Sequence, residues 1–323
     1  MIDISIVIVN YRGWKHLDKC LKVFESFKNG DFSFEIIVVD NCSADGQLPH
    51  FQKRFPEYCF LLNTGNNGFS NGCNFGAASS KGAYLLFLNS DIVATESAIG
   101  GLLQTIRARP EIMILSCKHL NINGKVEQVD RYFPSFLTIN GIIRTLYRKV
   151  KHKKKIDDSP FAVDVIYPDW VSGSLILISK QDFERIGGWD ESYWLYYEDV
   201  DLCSRASSHG GAVGLHNQIS VIHNHGGSTR TNLETTTLTK AEVIISLHVF
   251  LSNHYSPVRA VGLHLMVMLD VLVVNLIPAL LGIPFFFVKK LNLYNRLYFR
   301  LVVYYLHALA KRTWLSPRSL KYK

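Results

Sequence analysis

The spacing of hydrophobic and polar positions changes several times along the chain, and each change marks an element. Residues 4–10 (ISIVIVN), 34–41 (FEIIVVDN), 58–63 (YCFLLN) and 83–91 (AYLLFLNSD) are short apolar runs, several rich in β-branched side chains. Such runs predict strands buried on both faces. Between them the pattern opens to helical spacing, near 14–28 and again over 68–80, where GFSNGCNFGAASS is rich in small residues, as in a helix lying close to a sheet. Strand alternating with helix predicts an α/β fold, a mostly parallel sheet with helices on both faces. In such sheets ligands bind outside the carboxyl ends of the strands. Four of those ends are polar: Asn10, Asp40, Asn63 and the Asn89–Asp91 turn.

Further on, residues 169–191 predict a strand, a short helix and a Gly-Gly turn, and residues 213–229 two short strands ending on His223. Near residue 233 the character changes to a helix reaching His254 and then an apolar stretch over 261–290. The expected division is an α/β body over 1–232 and a helical C-terminal region over 233–323, with a membrane-associating segment within 258–312. Val271–Val288 carries no charge but contains Pro278 and Pro284 and follows Asp270. A straight span needs about 20 apolar residues, so a hairpin or a pair of interfacial helices is the expected form. Lys289 and Lys290, and the aromatic run over 297–312, then sit at the headgroups.

Composition sharpens this picture at one point. The formal charge is +8, and the segment from Val271 to Lys323 holds no acid and nine Lys or Arg, which leaves −1 for residues 1–270. That argues against a nucleic-acid-binding body and for a basic tail facing an anionic membrane surface. A second basic run over 144–155 reads as a solvated loop. Six cysteines show neither a CxxC pair nor zinc spacing and read as reduced, mostly buried thiols. The N-terminal residues have no basic stretch before a short apolar run, so they read as a first strand rather than a signal peptide, and a cytoplasmic-side protein is expected.

The candidate chemistry lies at the strand ends. Asn89 and Asp91, two apart, can face the same way, and hard oxygen ligands there suit Mg²⁺ or Mn²⁺ on a diphosphate; a turn or helix cap is the alternative. Asp40 can accept the imide N–H of a uracil or thymine ring, or cap a turn. The Asn- and Gly-rich stretch 63–76 offers paired amide donors and acceptors with close backbone approach. In YEDVD, Glu198 falls in the first turn of a predicted helix, where negative charge is favoured. Asp199 can face a pocket as a general base. Asp201 and Arg205 are spaced for an ion pair, and Glu191 lies in the preceding turn. His223, with His225 two residues on, can complete a metal site with Asp91.

Taken together, SIVIVNYRG, IIVVDNCSADG, NNGFSNGCNFG, YLLFLNSD, RYFPS, the block from Asp169 to Arg205 and VIHNHGGST resemble family 2 glycosyltransferases of the GT-A fold, over roughly residues 3–255. Within that family the likeness is to bacterial rhamnosyltransferases of O-antigen and other cell-surface polysaccharides. The resemblance implies an inverting, metal-dependent transferase with a nucleotide-binding part over 1–91 and an acceptor and catalytic part over 92–232. It implies donor binding by Asn10, Asp40, Asn66, Gly68, Asn74, Asn89 and Asp91, and a divalent metal (Mg²⁺ or Mn²⁺) on Asp91 and His223. Asp199 becomes the base, and Trp170, Gly173, Trp194 and Glu198 shape the sugar and acceptor pocket. The family's metal motif is usually DxD, and Asn89 occupies its first position here, which weakens Asn89 as a ligand. RYFPS (131–135) favours dTDP-L-rhamnose as donor, with a UDP-hexose as the alternative and an inactive nucleotide-sugar-binding protein further off. The implied acceptor is a polyprenyl-diphosphate-linked glycan, and the implied place is the cytoplasmic face of the inner membrane, peripheral or monotopic, with no nucleic acid as partner.

Overall fold

A computed structural model describes residues 2–28, 30–139, 164–224 and 232–322, without the side chains of 130 and 131. The basic run over 144–155 and His225 lie outside the described residues. The chain forms two compact units.

The first unit, residues 2–131, 164–191 and 198–224 among those described, holds the sheet. Its elements are β1 (Ile4–Asn10), α1 (Trp14–Phe24), β2 (Phe34–Asp40), α2 (Leu48–Arg54), β3 (Cys59–Leu62), α3 (Phe69–Ala78), β4 (Tyr84–Leu88), β5 (Ile92–Val93), α4 (Glu96–Ala108) and β6 (Ile112–Leu120). They continue with β7 (Val126–Glu127), β8 (Asp130–Arg131), β9 (Val165–Ile166), β10 (Trp170–Val171), β11 (Leu175–Ser179), α5 (Lys180–Arg185), α6 (Glu198–Ser208) and β12 (Ala212–His223). The main order is β3-β2-β1-β4-β11-β6-β12-β5, with β7 beside β6 and β9 beside β12. β1 to β4 run parallel. β11 enters antiparallel between β4 and β6, so the sheet is mixed from there on.

Alternation along β1 shows why these runs become central strands. Ile4, Ile6 and Ile8 point into one core layer, with Trp14, Leu17 and Leu21 of α1 and Leu102 of α4. Val7 points into the other, with Cys73 and Ala77 of α3, Phe183 of α5 and Leu202 of α6. Each buried aliphatic side chain stabilises the fold by about 1.5–3 kcal/mol. The small residues of α3 let it lie close to the sheet: a Cβ on Gly76 would stand 2.5 Å from Val7 Cγ1, and one on Gly72 2.8 Å from Val9 Cγ1.

Two readings of the pattern change. Residues 212–223 are one strand rather than two, because the polar HNQ interruption is a bulge between His216 and Ser220. The His216 ring nitrogen Nδ1 accepts the N–H groups of Gln218 and Ile219 at 3.2 and 3.1 Å, which satisfies donors the ladder drops. The cap of α4 is Thr95, whose hydroxyl accepts from Ala98 N–H at 3.2 Å, so the Asn89–Asp91 turn has no capping duty there.

The second unit takes in residues 132–139, 192–197 and 232–322 among those described. α7 (Leu233–His254) is capped by Asn232, and Pro257 opens α8 (Pro257–Leu269). A π-helical turn (Asp270–Val274) leads to α9 (Leu276–Leu281), and α10 (Lys289–Lys311) returns. α9 and α10 pack together: Asn295 donates to the Ala279 carbonyl at 3.0 Å. Pro278 is tolerated because it falls in the first turn of α9, where no helical N–H bond is lost. In the core of this unit the His248 and His264 rings meet Nδ1 to Nδ1 at 2.7 Å, and His248 Nε2 lies 3.1 Å from the Tyr305 hydroxyl. Burial, with His264 alongside, pushes His248 down to about 3, so two neutral rings share the contact, one donating and one accepting. The run Pro257–Leu281 contains an 18-residue window of mean hydropathy 2.2 and is long and apolar enough to cross a membrane by length and composition.

Candidate active site

The parallel strands deliver their polar ends to one edge. Asn10 and Asp40 are register partners, and Leu62, just before Asn63, pairs with Asp40. Asn10 Oδ1 accepts from Gly13 N–H at 3.1 Å and closes the turn into α1, while its fully buried Nδ2 has no hydrogen-bond partner among the described residues. Asp40 is buried and accepts from Ser43, through its N–H at 3.2 Å and through its hydroxyl. Burial raises its pKa, and the Ser43 bonds oppose that rise.

The loop behind this edge is an amide lattice. Asn63 Nδ2 donates to Asn41 Oδ1 at 2.7 Å and to Asn71 Oδ1 at 2.8 Å. Asn41 Nδ2 donates to the Gly68 carbonyl at 2.9 Å and lies 3.5 Å from Asn66 Oδ1. Gly68 precedes α3 with φ 98°, a conformation open to glycine and strained for other residues. The Asn74 side chain reaches across to the turn after α5. Its amide donates to the Trp189 carbonyl at 2.8 Å and to Glu191 at 2.9 Å, and accepts from Trp189 N–H at 3.0 Å. Both ends of that side chain are used in clamping the Gly-Gly turn.

A second cluster forms where β4, β5, β7 and β12 end. His223 Nε2 lies 3.4 Å from Asp91 Oδ1, and its Nδ1 lies 3.3 Å from Glu127 Oε2. The His119 ring stands edge-on to the His223 ring at 5.5 Å. Two carboxylates thus flank one imidazole, and a neutral ring has a single N–H to give. A cation between Nε2 and Asp91 is one arrangement that makes both contacts favourable. Among the described residues there is no ready group of three or more His, Cys, Asp or Glu. A carboxylate with one imidazole nevertheless suits a divalent ion whose other positions go to phosphate oxygens and water. Asn89 contributes its backbone here, donating N–H to the Ser174 carbonyl at 2.9 Å.

The third group opens α6. Asp199 Oδ2 accepts from Gly173 N–H at 2.9 Å, and Oδ1 from Val200 N–H at 2.9 Å. The four acids around this helix start have four environments. Glu191 is bound by Asn74. Asp201 pairs with Arg205 at 2.6 Å. Glu198 is buried, its Oε2 has no hydrogen-bond partner among the described residues, and burial followed by the Asp199 charge pushes its pKa well up. Asp199 is held by two backbone N–H groups. Of the residues expected to line the sugar pocket, Trp170 packs half-buried on the second core layer and Gly173 serves as the donor to Asp199. Trp194 belongs to the second unit, where the Arg318 guanidinium lies 5.3 Å from its ring.

The second and third groups are joined by one turn. Gly173 holds Asp199, and its neighbour Ser174 holds Asn89 through its carbonyl and lies 3.3 Å from His119 Nδ1 through its hydroxyl. The strand end that carries Asp91 and the helix start that carries Asp199 are thus tied to one turn within the first unit. The sequence reading did not single out Ser43, Asn41, Asn71, His119, Glu127 or Ser174. Asn41 and Ser43 follow Asp40 directly and were within reach of it. Glu127 sits on a two-residue strand with no pattern to announce it.

A sheet of this order, flanked by helices and ending on polar residues, has the GT-A fold. Residues 5–163 match the model of glycosyl transferase family 2, and residues 158–225 that of the N-terminal domain of galactosyltransferase. The chain carries a family 2 glycosyltransferase domain over residues 5–163 and is a glycosyltransferase. It is 28% identical over 227 residues to the low-salt glycan biosynthesis hexosyltransferase Agl10 of Haloferax volcanii, covering 69% of this chain and 67% of that one. It is 27% identical to the rhamnosyltransferase WbbL of Escherichia coli, over 66% of this chain and 79% of that one. The N-acetylglucosaminyl-diphospho-decaprenol L-rhamnosyltransferase of Mycobacterium tuberculosis is 24% identical over 71% of this chain and 78% of its own. Among solved structures, the mannosyltransferase PcManGT of Pyrobaculum calidifontis with GDP-Man and Mn²⁺ shares the fold at TM-score 0.53 and 14% identity, over 83% of this chain and 69% of that one. GalNAc-T7 with UDP, GalNAc and Mn²⁺ does so at TM-score 0.53 and 15% identity, over 79% of this chain and 49% of that one.

Proposed function

We propose that the enzyme transfers L-rhamnose, with inversion, from dTDP-L-rhamnose to a polyprenyl-diphosphate-linked glycan at the cytoplasmic face of the membrane. The observation that carries the catalytic part is the 173–174 turn, which ties Asp199 to the Asn89–Asp91 end of the sheet. The donor and acceptor are supported by likeness to WbbL and to the mycobacterial L-rhamnosyltransferase.

In this reading Asp40, Asn10 and the Asn66–Asn74 loop, Gly68 included, form the base and ribose side of the donor site. Asp91 and His223 would hold a divalent cation, which when bound neutralises the departing diphosphate as a Lewis acid. Asp199, kept in place by Gly173, takes the proton of the acceptor hydroxyl as that oxygen attacks the anomeric carbon from the opposite side. Glu198, held neutral, leaves a single negative charge facing the acceptor. Trp170 borders the sugar, and the exposed apolar residues of the second unit seat the enzyme on the bilayer.

The deciding experiment is a donor screen with the full-length enzyme, comparing hydrolysis and thermal shift for dTDP-L-rhamnose, UDP-glucose and UDP-N-acetylglucosamine. Turnover and stabilisation by dTDP-L-rhamnose are expected. Turnover of a UDP-hexose alone would replace the donor while keeping the chemistry.

A further inference from the structure

We propose that Glu127 is a positioning residue for the cation site: it turns the His223 ring so that Nε2, rather than a ring carbon, faces Asp91. This rests on the reading of Asp91 and His223 as cation ligands. The strands set up the contact. β7 pairs with the end of β6, Glu127 opposite His119, and β12 pairs with the same stretch of β6, Val221 opposite His119. His223 stands two residues beyond Val221 and so falls on the same face. Glu127 Oε2 then lies 3.3 Å from His223 Nδ1, while Nε2 lies 3.4 Å from Asp91 Oδ1. The side chains of Glu127 and His223 are 19% and 10% exposed, so water competes little for the contact.

The orientation of the ring follows from one close approach. An imidazole rotated by half a turn about its stem would present Cδ2 to Glu127 and Cε1 toward Asp91's side, losing both polar contacts. The His119 ring, edge-on at 90°, narrows the space in which the ring can turn. The 3.3 Å approach of Nδ1 to Oε2 is an ion-pair distance; a proton carried on Nδ1 would face the carboxylate and leave the Nε2 lone pair for a cation. A carboxylate behind a ligating histidine also raises its basicity, and loss of such a partner typically weakens metal affinity ~10–100-fold.

The test is a Mn²⁺ titration of the full-length enzyme, followed by electron paramagnetic resonance, with dTDP present and with UDP in a parallel series. Glu127→Ala is expected to weaken Mn²⁺ binding ~10–100-fold and to lose the nitrogen modulation of the bound-Mn²⁺ signal, with metal-free nucleotide binding and melting temperature unchanged. Glu127→Gln, whose amide oxygen still accepts from Nδ1, should recover part of the affinity. In a His223→Ala background, Glu127→Ala should cost nothing more, because its effect passes through the ring. Wild-type affinity in Glu127→Ala, with loss in His223→Ala, would overturn this inference and leave the cation site standing. Additive losses would make Glu127 a ligand in its own right and also overturn it. If His223→Ala binds Mn²⁺ normally, the cation reading and this inference fall together.

Discussion

At the scale of single residues, the site is governed by how carboxylates are held. Asp199→Asn removes the proposed proton acceptor but keeps a shape that Gly173 can still hold. Transfer should fall by at least ~10²–10⁴-fold, the range for loss of a general base, with nucleotide binding intact by calorimetry. Gly173→Ala tests the holding itself. Its Cβ would stand 3.2 Å from Asp199 Cβ, so turnover should drop while melting temperature barely moves. Glu198 gives a prediction in pH. Its folded pKa is raised by burial and by Asp199, so it favours folding below the ordinary Glu range. From there upward the unfolded chain ionises first, and stability declines by about 1.4 kcal/mol per pH unit until the folded pKa is reached. Glu198→Gln cannot ionise and should flatten that slope, as urea unfolding of both proteins from pH 5 to 8 would show. Much of this was legible as composition: YEDVD announced several acids beside aromatics, and the Asp201–Arg205 pair followed from helical spacing. How the acids divide their tasks depends on Asn74 and Gly173, which come from other parts of the chain and carry no local signal of the partners they meet.

At the scale of elements, the polar strand ends were legible because parallel strands of similar length finish on one edge. The mixed part of the sheet was not. β11 joins antiparallel beside β4, and an apolar run such as LILIS says nothing about direction. The bulge in β12 was misread as a break because polar residues interrupt both alike. The small-residue face of α3 was legible, and it is testable. Gly76→Ala would press a methyl group to 2.5 Å from Val7 Cγ1 on a central strand. Overpacking of this kind costs about 1–3 kcal/mol, so the chemical-denaturation midpoint should fall. A midpoint equal to wild type would mean that α3 can lift from the sheet at no cost.

At the scale of the whole molecule, charge and apolarity both gather in the C-terminal region. Val258, Ile277, Phe286 and Phe287 are more than half exposed, and the Lys and Arg of α10 follow them. The expected monotopic seat predicts that Ile277→Ser, Phe286→Ser and Phe287→Ser together release the enzyme from anionic vesicles in a sedimentation assay. Folding should be retained, because these side chains contribute little to the core. Undiminished sedimentation would assign the apolar surface to something other than lipid. The sequence marked the start of this region near residue 233 by its change to helical character, and its basic part by the loss of acids from Val271 onward. It did not show that residues 132–139 and 192–197 pack with it, since both are short, aromatic-rich stretches outside any helix and far from it in the chain.

The turn formed by Gly173 and Ser174 carries a consequence for how such an enzyme could diversify. Two neighbouring amino acids fix the gauge between the proposed proton acceptor, Asp199, and the proposed phosphate end at Asn89–Asp91, before any sugar arrives. A new donor or a new alcohol can then be accommodated by rewriting the surrounding loops, while the reactive span keeps its length like a track laid to one width.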